Sequence, residues 1–121
     1  MKKILIVEDN EANMKLFADL LETQCYEIHK AYDGAEALKR LKGERFDLLI
    51  LDIQLPKLSG IELMKLMKEE KLEQPKTIIV SAFATQNEIR DAKMYGCDAY
   101  ITKPINITEF LASVKTIVGD N

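Results

Sequence analysis

The chain is short of the residues that mark several common classes of protein. Among its 121 residues are no tryptophan, one histidine, two cysteines, three prolines and five glycines. So little glycine and proline, beside 47% hydrophobic and 31% charged residues, indicates a compact folded domain. Cys25 and Cys97 are too few for a disulfide framework and lack zinc-ligand spacing, so we predict two small hydrophobic residues. His29 is the only histidine and lies in a polar and aromatic stretch. We predict that it is a half-exposed strand residue and not a ligand or a base.

A strong positive charge and a long apolar run are missing too. The net charge is -3 and the isoelectric point is near 5.2, with no cluster of lysine and arginine. Neither nucleic acid nor an anionic membrane is therefore expected as a direct partner. The apolar run after Lys3 stops after four residues at Glu8-Asp9-Asn10, which is too short for a signal peptide. We expect a first strand in a cytoplasmic protein.

The length fits a single domain. A chain of 121 residues and 13.8 kDa can bury one core but leaves no room for a separate output module. No repeat, linker or low-complexity segment interrupts the sequence. Because it starts at Met1 and ends at Asn121, just past the last helical pattern, we expect residues 1–121 to form a complete single-domain protein.

Short apolar runs alternate with helical patterns along the chain. The predicted strands are residues 4–7, 26–31, 46–51, 77–80 and 99–102. The first, third and fourth are nearly continuous apolar runs, as in parallel strands buried on both faces, whereas the second is polar and suits a sheet edge. Five β-α units with short connections predict an α/β fold. It is a doubly wound, flavodoxin-like parallel sheet of order 2-1-3-4-5 with helices on both faces.

A polar residue or pair directly follows four of the predicted strands. These residues are Glu8-Asp9, Asp52, Ser81 and Lys103. Because open α/β sheets bind ligands at the carboxyl ends of their strands, these side chains should converge at one edge. Two or three carboxylates, a hydroxyl and an ammonium together indicate a divalent metal such as Mg²⁺ and a phosphoryl group.

Each of these residues also has an ordinary structural explanation. Asp9 or Asn10 could simply cap the first helix, Ser81 could be hydrogen-bonded locally, and Lys103 could be a solvated loop lysine. Asp52 is harder to explain, because a carboxylate that ends the most apolar strand must be compensated or functional. The occurrence of all four at strand ends favours a functional site.

Known carboxylate chemistry fits such a site. A divalent cation removes the repulsion between clustered carboxylates, and an aspartate can then form an aspartyl phosphate. Lys103 would place a positive charge on one phosphoryl oxygen, and Ser81 would donate a hydrogen bond to another. A flavodoxin-like cofactor carrier would share the topology but needs a phosphate loop rich in glycine, serine or threonine. The loop after the first strand is instead the acidic Glu8-Asp9-Asn10.

Four motifs, in their order and spacing, strongly resemble the receiver domain of two-component response regulators. They are Glu8-Asp9-Asn10, Leu51-Asp52-Ile53-Gln54-Leu55-Pro56, Ser81-Ala82 and Lys103-Pro104, and the resemblance covers essentially the whole chain. It implies that Asp52 accepts a phosphoryl group, while Glu8, Asp9, Asp52 and the main-chain carbonyl of Gln54 hold Mg²⁺. The donor would be a histidine kinase or a histidine phosphotransfer protein. Within the family the sequence is most similar to single-domain regulators of cell division, which implies a part in the cell cycle.

The resemblance also implies how a signal would be passed on. Lys103 would sense the phosphate, Ser81 would be the switch hydroxyl and Tyr100 the switch aromatic, and the Lys103-Pro104 bond would be cis. Phe83, two residues after Ser81, is predicted to obstruct attacking water and to lengthen the life of the phosphate; packing on the fourth helix is the alternative.

A downstream protein target would bind through the first helix and the last strand and helix. Met14 is a candidate for that docking surface, whereas Phe17 and Leu21 are expected to pack in the core.

Two other functions stay open at this point. One is an interaction module that is never phosphorylated. The other is a Mg²⁺-dependent phosphohydrolase that uses the same aspartyl phosphate. The phosphohydrolase is disfavoured because Ile53 and Gln54 follow Asp52 and neither is a general acid. We therefore expect a signalling protein and not an enzyme.

Overall fold

The computed structural model describes residues 1–82 and 85–119, in which five strands alternate with five helices. The strands are β1 (Lys3–Val7), β2 (Glu27–Ala31), β3 (Leu48–Asp52), β4 (Lys76–Ser81) and β5 (Ala99–Thr102). The helices are α1 (Glu11–Glu22), α2 (Gly34–Gly43), α3 (Gly60–Glu69), α4 (Gln86–Met94) and α5 (Ile107–Val118). All neighbouring strands are parallel, in the order β2-β1-β3-β4-β5. The fold and strand order predicted from the sequence are confirmed.

The burial of each strand explains its place in the sheet. Strands β1, β3 and β4 are almost wholly buried, because helices cover both of their faces. Strand β2 is largely exposed or half-buried and lies at the edge, as its polar sequence predicted. Strand β3 begins at Leu48 and not at residue 46, because its pairing with β1 and β4 starts at Leu48. Phe46 is buried in the connection that precedes the strand.

Each face of the sheet has its own core, because successive side chains of a strand point to opposite faces. Helices α2, α3 and α4 cover one face, and α1 and α5 cover the other. The first core includes Leu5, Val7, Leu49, Leu51, Ile79, Leu63, Met64 and Met67. The second includes Ile4, Ile6, Ile50, Ile78, Val80, Met14, Phe17, Leu21, Phe110 and Val114.

The packing of α1 differs from the expectation that Met14 lies on a docking surface. Met14 is only 1% exposed and packs in the second core, so its proposed place on a docking surface is wrong. The reason is its position three and seven residues before Phe17 and Leu21, which puts all three on one buried stripe. Phe17 and Leu21 are core residues, as expected, and the Phe17 ring lies 5.4 Å from that of Phe110.

Side-chain caps start all five described helices. Each cap oxygen accepts a hydrogen bond from a backbone N–H three residues later. The capping residues are Asn10, Asp33, Ser59, Thr85 and Asn106. Asn10, and not Asp9, therefore caps α1, which leaves the Asp9 carboxylate available at the carboxyl ends of the strands.

The cysteines and the histidine lie in three different settings. Cys97 is half-buried against the first core, as expected of a small hydrophobic residue. Cys25 is exposed in the turn after α1 with a φ of 63°, so the same expectation is wrong for it. Cys25 lies two residues after Thr23, the C-cap of α1, in the turn where the chain passes from α1 to β2. His29 is a half-buried residue of β2, as predicted. No helix among the described residues is long and apolar enough to cross a membrane.

Candidate functional site

The carboxyl ends of the strands, called the carboxyl edge below, bring three charged side chains together. Lys103 Nζ donates hydrogen bonds to Glu8 Oε1 and to Asp52 Oδ2, each at 2.9 Å. Glu8 is 1% exposed and Asp52 6% exposed, so two buried carboxylates share one ammonium. These three residues follow or end β1, β3 and β5, and their convergence comes from the parallel sheet.

Backbone contacts fix the lysine and the serine at this edge. The backbone N–H of Lys103 donates to the Ser81 carbonyl at 2.7 Å and so continues the ladder between β4 and β5. The Lys103-Pro104 bond is cis. Ser81 is fully buried and follows Val80, the partner of Asp52 in the register of β3 and β4. Ser81 therefore ends the strand that lies beside Asp52.

The start of α3 lies against the backbone of Asp52. A Cβ atom on Gly60 would stand 2.5 Å from the Asp52 carbonyl oxygen and 3.0 Å from Ile53 Cα. The Gly60 N–H also donates to the Ile53 carbonyl at 2.9 Å. Only glycine permits this close approach, so Gly60 helps to set the position of Asp52.

Both carboxylate oxygens of Asp52 are held. Oδ1 accepts from the backbone N–H of Gln54 at 2.9 Å, and Oδ2 accepts from Lys103. Burial would lower the pKa of Lys103, but its hydrogen bonds to Asp52 and Glu8 outweigh burial and raise that pKa above its ordinary value. The lysine therefore stays an ammonium that orients Asp52.

The acidic residues at this edge fit a divalent cation. One oxygen from each of Glu8, Asp9 and Asp52 lies within 4.8 Å of the others. Among the described residues, Glu8 Oε2 is buried without a hydrogen-bond partner, which leaves one acceptor of this edge unsatisfied. Burial, with the neighbouring Asp52 carboxylate, raises the pKa of Glu8 to about 7, although Lys103 opposes the rise. Oxygen ligands with unmatched negative charge are what Mg²⁺ prefers.

Tyr100 connects this edge to α4. Its hydroxyl donates to Glu88 Oε2 at 3.4 Å. Burial raises the pKa of Tyr100, a hydrogen bond with Ser81 opposes the rise, and the Glu88 charge adds to it. Glu88 was not predicted from the sequence as a site residue. Its position three residues after Thr85 indicates only that it belongs to the first turn of a helix. Phe83, for which an effect on phosphate lifetime is predicted, lies outside the described residues.

The fold and the acidic site define a class of signalling domain, and comparison with known proteins supports that assignment. The chain belongs to the response regulator receiver domain family, which matches residues 4–115. Phosphorylation of an aspartate, with Mg²⁺ at an acidic site, is general in this family.

Individual relatives match nearly the whole chain. The polar-differentiation response regulator DivK of Brucella anthropi is 43% identical over 120 residues, which are 98% of each chain. A CheY-like receiver domain protein from Methanospirillum hungatei is 34% identical with a TM-score of 0.88, covering 96% of this chain and 92% of that one. The response regulator TrrA of Thermotoga maritima, in complex with Mg²⁺ and BeF, is 32% identical with a TM-score of 0.85, covering 97% and 99%.

Proposed function

We propose that the chain is a single-domain response regulator that accepts a phosphoryl group on Asp52. The donor is the phosphohistidine of a histidine kinase or of a histidine phosphotransfer protein. The observation that carries the proposal is the position of Asp52 at the carboxyl edge, 2.9 Å from Lys103 and within 4.8 Å of Glu8 and Asp9 oxygens. A buried aspartate beside a lysine and two further carboxylates has the groups that phosphoryl transfer requires.

The transfer forms one bond and breaks another. An oxygen of Asp52 attacks the phosphorus atom, the bond from phosphorus to the imidazole nitrogen breaks, and the nitrogen keeps the electron pair. Lys103, already held at Asp52, neutralises charge on a phosphoryl oxygen, and the buried Ser81 hydroxyl donates to another. Glu8, Asp9, Asp52 and the main-chain carbonyl of Gln54 would hold Mg²⁺, which would supply positive charge to the phosphoryl oxygens.

The phosphoryl group then acts as a switch. It draws the Ser81 hydroxyl towards Asp52, and Tyr100 turns into the space that Ser81 leaves. The movement changes the surface formed by α4, β5 and α5, and so shifts the population between two packings of one fold.

The output is binding to another protein through α1, β5 and α5. Leu16 on α1 and Ile107 on α5 are 40% and 48% exposed, and they supply apolar contact area on these helices. Similarity to the polar-differentiation response regulator DivK supports a role in cell-cycle control. We expect the protein to act in the cytoplasm. A pull-down that compares the phosphorylated protein with Asp52→Asn would separate signal-dependent partners from constitutive ones.

Intact mass tests the phosphorylation. The protein is incubated with acetyl phosphate, with and without Mg²⁺, beside Asp52→Asn and the matched control Asp47→Asn. Asp47 lies at the opposite end of β3, where its carboxylate accepts from the Lys3 N–H. We expect a Mg²⁺-dependent gain of one phosphoryl group in the wild type and in Asp47→Asn, and none in Asp52→Asn.

Two results would contradict the proposal. No gain of mass under any condition would leave an interaction module that is never phosphorylated. Catalytic turnover of an added phosphomonoester would instead indicate a phosphohydrolase.

A further inference from the structure

Glu88 in the first turn of α4 is bonded to the proposed switch residue. The Tyr100 hydroxyl donates to Glu88 Oε2 at 3.4 Å, and both side chains are half-buried. This contact joins the second residue of β5 to the start of a helix. Tyr100 therefore cannot turn away from its position without releasing Glu88.

Three other glutamates occupy the same helix position as Glu88, but their contacts differ. In α2, α3, α4 and α5 the backbone N–H of a glutamate donates to the capping side chain three residues earlier. These residues are Glu36, Glu62, Glu88 and Glu109. The carboxylate of Glu36 turns back to the N–H of Tyr32, the residue before the cap of its own helix. Of the four, within residues 1–82 and 85–119, Glu88 alone accepts from a side chain of another element.

The hydrogen bond between Tyr100 and Glu88 has a fixed direction. A phenol has one proton and a carboxylate can only accept, so Tyr100 is the donor and Glu88 the acceptor.

We propose that Glu88 is a positioning residue of the switch, which ties Tyr100 to α4 through this hydrogen bond. A switch that turns Tyr100 must break the bond, so the bond opposes the arrangement that a phosphoryl group on Asp52 favours. This inference rests on the proposed function, because it requires a phosphoryl group on Asp52.

Titration with beryllofluoride and Mg²⁺, a mimic of the phosphoryl group, tests the proposal. The apparent dissociation constant is measured from backbone amide NMR signals for the wild type, Glu88→Ala, Glu88→Gln, Tyr100→Phe and the Glu88→Ala/Tyr100→Phe double variant. Glu62→Ala is the matched control, because Glu62 has the same position in α3 behind Ser59 and is exposed. Amide spectra without ligand show that each variant is folded.

We expect Glu88→Ala to bind the mimic about threefold more tightly, the change that loss of one modest hydrogen bond would give. Glu88→Gln should stay near the wild-type value, because its amide oxygen still accepts the Tyr100 proton. In the Tyr100→Phe background Glu88→Ala should have no further effect, since the two residues act through one bond. Glu62→Ala should bind as the wild type does.

Each other outcome has a definite meaning. An equal effect of Glu88→Ala and Glu62→Ala, or an effect of Glu88→Ala that persists in Tyr100→Phe, would overturn the positioning role and leave the proposed function intact. A wild type that does not respond to beryllofluoride would overturn the proposed function, and this inference with it.

Discussion

The two ends of the sheet both carry charged side chains but hold them in opposite ways. At the carboxyl edge, Glu8 and Asp52 are buried around the ammonium of Lys103. At the opposite end, called the amino edge, a cavity of about 710 Å³ opens beside β3, β4 and β5. Its charged lining residues are Lys42, Arg45, Lys71, Lys76, Glu44, Asp47, Glu73 and Asp98. Arg45 and Glu73 pair there at 2.7 Å with side chains 84% and 68% exposed.

The proposed site therefore differs from the cavity at the amino edge in the burial and the imbalance of its charges. The amino edge has equal numbers of acids and bases, and solvent screens their interactions. The carboxyl edge has three carboxylates and one ammonium, two of the carboxylates being buried. Low dielectric strengthens every interaction among buried charges, so their excess negative charge favours a divalent cation, and only the bound cation would make the site favourable for a phosphoryl group.

The largest expected effect is on the pH dependence of stability. A Glu8 pKa of about 7, against an ordinary 4.5, means that the folded protein retains a proton that the unfolded chain has lost. Without Mg²⁺, the free energy of unfolding should therefore fall as pH rises from about 4.5 to about 7, by up to about 3 kcal/mol. Urea unfolding of the wild type and Glu8→Gln across this pH range measures the change in the free energy of unfolding. If that free energy depends on pH equally in both proteins, the buried acid has no such effect.

A change of packing at the two edges should have the next largest effect. Gly60→Ala places a methyl group 2.5 Å from the Asp52 carbonyl oxygen and should destabilise the protein by about 2 kcal/mol. Gly43→Ala at the amino edge meets no atom within 4 Å and should be neutral or stabilise α2 by about 0.5 kcal/mol. Thermal and urea unfolding of both variants gives the comparison. Similar losses for both would mean that Gly60 is not needed for the close approach.

Loss of a carboxylate should weaken Mg²⁺ binding when it lies at the carboxyl edge but not when it lies at the amino edge. Asp9 is exposed and does not cap α1, so Asp9→Asn should leave the fold intact and weaken Mg²⁺ binding by about tenfold or more. Glu73→Gln, at the amino edge, should not change the affinity. Isothermal titration calorimetry measures both values. A similar affinity for Asp9→Asn and the wild type would remove Asp9 from the ligand set.

The smallest effect is expected at an exposed ion pair of the amino edge. Arg45→Ala breaks the 2.7 Å contact with Glu73. Because both side chains are mostly exposed, the free energy of unfolding should change by less than about 0.5 kcal/mol. Urea unfolding at low and high salt checks this value. A larger, salt-sensitive loss would show that the amino edge also depends on its charge pairs.

Much of the fold was predictable because it depends on local patterns. Continuous apolar runs predicted the buried strands, and the polarity of β2 predicted its place at the edge. The exposed Cys25 and the buried Met14 were mispredicted. Residue type alone does not tell where a turn reverses the chain, as at Cys25. The burial of Met14 follows from its helical spacing to Phe17 and Leu21, a pattern that the sequence already contained.

The sequence by itself determined which chemical groups stand at the carboxyl ends of the strands, because strand period and parallel topology follow from local hydrophobicity. Only the tertiary structure decided that one ammonium of Lys103 spans Glu8 and Asp52, which lie 95 and 51 residues away from it. It also decided that Tyr100 donates its proton to Glu88. Such contacts depend on side-chain orientation between distant elements, and packing of the folded chain sets that orientation.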